Sequence, residues 1–117
     1  MYWYQTLQGQ RRLQAEIKQM LNNTSFSLNQ DDENGKLAWQ GYLHGHTILL
    51  EYSDNHPYEK MQVYVSNPEL PCVNLHIHPD GSICYIKDQE WSPDWTAYAV
   101  YLTTMRFLDD FYSGRMK

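Results

Sequence analysis

The chain is poor in the features that declare a function on their own. Among its 117 residues there are two cysteines, Cys72 and Cys84, and neither belongs to a Cys-x-x-Cys pair. Both therefore read as thiols of a reducing compartment, and a domain of this length buries a sufficient core without disulfide or metal staples. No apolar run approaches ~18 residues, so no segment reads as a bilayer span. Positive charge is scarce: the net charge of -5 leaves no broad basic field for nucleic acid or an anionic membrane. The start, Met1-Tyr2-Trp3-Tyr4, lacks the basic-then-apolar pattern of a signal peptide, and the expected location is the cytoplasm. There is no internal repeat, no low-complexity linker and no glycine-rich nucleotide loop. The expectation is one domain over residues 1–117.

What is present is aromatic and periodic. Ten tyrosines and four tryptophans supply amphipathic rings for core and surface. From about Gln5 to Leu21, the residues Leu13, Ile17, Met20 and Leu21 share one face of a helix, with Arg11, Arg12 and Lys18 on a solvated face or on a surface for an acidic partner. From Phe26 to Val65 the pattern changes to short strands. Phe26 and Leu28 alternate with serines, and Asp31 to Gly35 make a turn. Leu37 to Leu43 follow as a strand, Gly45 turns the chain, and Thr47 to Tyr52 form the next strand. Asp54-Asn55-His56-Pro57 interrupts the run, since proline cannot donate to a ladder. Met61, Val63 and Val65 alternate as in a half-buried strand. Short connections favour an antiparallel meander. Ser92-Pro93 reads as the opening of a last helix, beginning there or two to three residues later. Tyr98, Tyr101 or Leu102, Met105, Leu108 and Tyr112 form its core stripe, and Gly114 stops it. The fold class is α+β: helix, four-stranded meander, a turn bearing a cysteine, helix.

The chemistry gathers at His78-Pro79-Asp80-Gly81-Ser82-Ile83-Cys84, followed seven residues later by Trp91-Ser92-Pro93. Asp-Gly is a turn signal. If Ile83 points into the core, an extended Cys84 points away from it. His76 and His78 share a face with Ile77 on the other, and a histidine beside a thiol stabilises its thiolate or serves as a base or oxyanion donor. Cys72, between Pro71 and Val73, reads instead as a small buried apolar residue. His44 and His46 form a second His-x-His; with His76 and His78 they make a zinc site if the two pairs converge. Tyr2, Trp3 and Tyr4 either cap the sheet or dock on a partner.

These residues resemble the ubiquitin-conjugating (UBC-like) enzyme family over about Gln10 to Tyr112. The family sets its cysteine in a turn of the type D/N-G-x-I-C, matched by Asp80 to Cys84. Its W-S-P motif is matched by Trp91-Ser92-Pro93, and a W-Q pair by Trp39-Gln40. Asn55-His56-Pro57-Tyr58 stands loosely where the family carries a Y-P-F turn. Where the family has the asparagine of H-P-N, eight residues before the cysteine, this chain has His76. Eukaryotic members add helices beyond the one after the cysteine. The resemblance is thus to a minimal prokaryotic conjugating-enzyme-like protein.

The resemblance implies a cytoplasmic acyltransferase that needs no cofactor. Cys84 would take the C-terminal carboxyl of a ubiquitin-like protein, or of a cyclic-GMP-AMP-synthase-type (cGAS-like) nucleotidyltransferase of an antiphage operon, as a thioester. An amine would then receive it. His76, and after it His78, would act as oxyanion donor or base. Asp80 would orient the incoming lysine or only shape the turn, and Trp91 would steady the loop. Partners would be an activating-enzyme-like protein or a deubiquitinase-like peptidase, with no nucleic acid and no membrane. The sequence's last residues, Arg115-Met116-Lys117, are not glycine, which suits a carrier and not a modifier. A non-catalytic UBC-like binding module and a zinc-binding scaffold are the alternatives.

Overall fold

The computed structural model describes residues 1–115; Met116 and Lys117, cited above with Arg115, lie outside the described residues. A single 3-10 turn at Trp3–Gln5 leads into α1, Leu7–Asn23, whose first turn is capped by the Thr6 hydroxyl accepting from the Gly9 amide. Met20 of α1 is fully buried, and Leu13 and Ile17 pack against the core. Leu21 does not join them: it is 60% exposed. The fourth place on the buried stripe belongs to Glu16, at three-residue spacing from Leu13, and its burial depends on polar partners described below.

Four strands follow as an antiparallel meander, β1 Ser27–Gln30, β2 Leu37–Leu43, β3 His46–Glu51 and β4 Gln62–Ser66. A fifth, two-residue strand, β5 Ser82–Ile83, adds to β4, so the order across the sheet is the order along the chain. The four-stranded expectation gains this edge because the turn at Gly81 lays the chain back on β4, where the Val65 amide donates to the Gly81 carbonyl at 2.8 Å. His44 and Gly45, both at positive φ, close the β2–β3 hairpin as a two-residue loop. Alternation sends Leu37, Trp39, Ile48, Leu50, Val63 and Val65 into the core, while Gln40, Tyr42, Leu49 and Tyr64 stay partly or largely open.

The last helix, α2, spans Ala97–Tyr112. It does not open at Ser92-Pro93. Those residues form a turn closed by the Trp95 amide on the Ser92 carbonyl, and Thr96 is the cap, its hydroxyl accepting from the Ala99 amide. The stripe is rotated from the expected one: Ala97, Val100, Thr104, Phe107 and Leu108 are buried, whereas Leu102 and Tyr112 are exposed. Gly114 ends α2 as expected. Its amide donates to the Phe111 carbonyl and the Arg115 amide to the Asp110 carbonyl, the paired bonds of a Schellman ending. Both helices contribute to one core cluster with the inner face of the sheet, an α+β arrangement. No helix among the described residues is long and apolar enough to cross a membrane.

Candidate functional site

Cys84 is presented by a short hairpin at the edge of the sheet. Ile77 pairs with Ile83 as an isolated bridge, flanked by the His78 amide on the Ser82 carbonyl (3.0 Å) and the Cys84 amide on the His76 carbonyl (2.8 Å). Asp80 and Gly81 make the turn. The Asp80 carboxylate accepts from the Ser82 hydroxyl (2.6 Å) and amide (2.9 Å), and these bonds hold its carboxyl below the usual range. Ile77 and Ile83 are buried, and Ile83 also faces Val63 of β4. The buried pair pins the hairpin, so the alternate residues face away from the core.

His76 and Cys84 meet at the mouth of this hairpin through the Cys84 amide on the His76 carbonyl; His76 is not extended as expected but exposed in a turn over Asn74–Ile77. His78 stands one pair further on, opposite Ser82. Ile83 is buried, as the sequence leads one to expect, and Cys84 is half-buried. The rings of His76 and His78 make no hydrogen bond among the described residues; their backbones are tied, the His76 amide donating to Asn74 Oδ1 and the His78 amide to the Ser82 carbonyl. The Cys84 thiol is half-buried and donates to the Ile86 carbonyl at 3.2 Å.

The segment after the cysteine is fastened from several sides. The Tyr85 hydroxyl donates to the Met61 carbonyl, and burial, then the neighbouring Cys84 and Asp88, push its phenol well up. Lys60 Nζ donates to the Ile86 carbonyl at 3.3 Å and pairs with Asp88 at 2.8 Å. Trp91 stacks on Trp95, and its indole N–H donates to the Pro57 carbonyl at 2.9 Å. Trp91 thus ties the cysteine segment to the β3–β4 loop, a steadying role.

Behind that loop lies a polar cluster that the sequence reading missed. Glu16, 2% exposed, accepts from Arg12 Nε and His56 Nε2 at 2.7 Å each, from the Tyr52 hydroxyl at 3.0 Å and from the Ala97 amide at 2.8 Å. Burial alone would raise its carboxyl; the bonds and charges of His56 and Arg12 and the Ala97 amide outweigh it and hold the group below the ordinary range. Arg12 is accordingly not a solvated side chain: it also donates to the Pro93 and Trp95 carbonyls. Trp3 and Tyr52 pack on the His56 ring, so the aromatic N-terminus caps the core there. A cleft of about 550 Å³ opens beside this cluster between Trp3, Gly9, Arg12, Tyr58 and Pro93; none of its lining residues belongs to the cysteine hairpin.

The remaining sequence candidates separate. Cys72 is exposed, not buried, because the chain from Pro71 to Leu75 runs outside the sheet. His46 is buried, with Nδ1 2.5 Å from the Pro68 carbonyl oxygen and Nε2 on the Tyr112 hydroxyl, while His44 Nε2 meets Asp109 at 2.6 Å. Their ring nitrogens thus join the β2–β3 hairpin to the end of α2. Among the described residues no three side chains of metal-ligating type converge. Compared with known proteins, the chain matches no protein-family model and no curated protein.

Proposed function

We propose that this protein is a cysteine-based carboxyl carrier of the ubiquitin-conjugating type, with Cys84 as the acceptor thiol. The observation that carries the reading is a hairpin locked by buried Ile77 and Ile83 that bonds the Cys84 amide to the His76 carbonyl, next to an exposed imidazole. A positioned thiol with an unengaged imidazole on the residue its amide bonds suits acyl exchange, where positioning supplies much of the rate.

The carboxyl arrives activated, as a donor thioester or acyl adenylate on an activating-enzyme-like partner. Cys84 gives its thiol proton to water or His76 and attacks the carbonyl as thiolate; a C–S bond forms, and the bond to the donor group breaks, that group leaving with its electron pair. An amine then attacks, a C–N bond forms, the C–Sγ bond breaks, and its electron pair returns to sulfur. The amine's proton goes to His76 or water, and His76 donates to the transient oxyanion in its protonated form. Asp80 stands in the adjoining turn, within the same edge, to orient the amine. The cargo is a ubiquitin-like protein or a cGAS-like nucleotidyltransferase, in the setting of bacterial antiphage defence.

One observation favours a second reading, a binding module on the same fold. The thiol already has an acceptor in Ile86, as a structural cysteine does. Recovery of the protein with its genomic neighbours separates the two. A thiol-sensitive adduct on the parent, replaced by a stable ester on Cys84→Ser and stalled in His76→Ala, is the expected result. Absence of any adduct, with partner binding indifferent to Cys84→Ser, would favour the module.

A further inference from the structure

The Ile86 carbonyl oxygen has two donors. Cys84 Sγ approaches it at 3.2 Å and Lys60 Nζ at 3.3 Å, so sulfur and ammonium nitrogen are at most 6.5 Å apart, the two bonds laid end to end. Lys60 is only 15% exposed, lies over the Tyr85 ring at 5.6 Å, and among the described residues has a single carboxylate partner, Asp88, which is 88% exposed. A cation shielded from water on most sides keeps more of its field than an exposed one, while an exposed carboxylate is largely screened.

We propose that Lys60 is a positioning residue for Cys84, the fixed positive charge that stabilises its sulfur as an anion, with Asp88 tempering that charge. The proposal rests on the carrier reading and assigns to it a side chain outside the cysteine hairpin. Sulfur is anionic twice in that reaction, when it attacks the incoming carbonyl and when the C–Sγ bond breaks and the electron pair returns to it. At both moments Lys60 faces it across the Ile86 carbonyl and acts by charge alone, the thiol's proton having passed to water or His76. The groups near the sulfur are then His76, whose carbonyl the Cys84 amide bonds, Lys60 from the β3–β4 loop, and Tyr85 and Asp88 from its own segment. Of these, Lys60 is the permanent cation.

Alkylation of Cys84 by iodoacetamide at neutral pH tests this without any cargo, so its failure is distinct from failure to find an adduct. The exposed Cys72 is replaced by serine throughout, leaving one thiol. Lys60→Met should slow alkylation by about fivefold, the order expected when an opposite charge near a partly shielded thiolate is removed. Lys60→Arg should keep most of the rate, and Asp88→Asn should raise it. A folded Lys60→Met protein that alkylates at the parent rate overturns the proposal, as does a Lys60→Arg protein slowed as much as Lys60→Met, which marks a loss of packing and not of charge. Should Lys60→Met not fold, Asp88→Asn decides alone: a faster rate supports the proposal and an unchanged or slower one overturns it.

Discussion

At Gly81 the chain adopts φ +90°, and a Cβ there would lie 3.3 Å from the Val65 carbonyl oxygen, the atom's neighbour across the ladder. Both facts oppose a side chain. Gly81→Ala should lower the unfolding free energy by about 1–2 kcal/mol in urea titrations, and should expose the Cys84 amide to faster hydrogen exchange, since that amide closes the hairpin on His76. This residue was legible because Asp-Gly has one local meaning. Cys72 was not: its apolar neighbours suggested burial, yet the segment crosses no core. Lys60 gave no signal, because what matters about it is a carbonyl 26 residues away.

At the scale of elements, the strands were read closely because alternation survives in the sequence: Met61, Val63 and Val65 are all buried. α2 shows where local rules mislead. Ser-Pro is a good opening by composition, but Arg12 draws the Pro93 and Trp95 carbonyls toward α1, and the helix waits for Thr96. A long-range contact therefore sets the boundary and, with it, which residues form the stripe. Thr96→Ala should cost about 1 kcal/mol in equilibrium unfolding, and Ser92→Ala well under half of that. On the helix itself, Leu108→Ala should cost about 2–5 kcal/mol, while Leu102→Ala, on the exposed face, should stay within about 0.5 kcal/mol. The reverse order in either pair would restore the earlier start or the unrotated stripe.

For the whole molecule, the decisive carboxylate is Glu16. It joins α1 through Arg12, the β3–β4 loop through His56, β3's end through Tyr52, and the first turn of α2 through the Ala97 amide. The same loop holds Trp91 and, through Lys60 and Met61, the segment that carries Cys84. The thiol is thus braced from a carboxylate on a different element, which no local pattern records beyond one glutamate standing on an apolar stripe. The sign of its pH dependence follows from its depressed ionisation. The unfolded chain takes up the proton first as pH falls, so Glu16's contribution is complete above its ordinary value of 4.5 and is lost as pH drops from there through the lower folded value. Glu16→Gln should cost about 2–4 kcal/mol at neutral pH, the range for leaving buried partners uncompensated. Urea unfolding of parent and variant should show that gap holding at about pH 6 and narrowing below the ordinary carboxylate range. A gap that stayed constant into acid would mean that Glu16 is held by packing and that its charge does not brace the thiol segment.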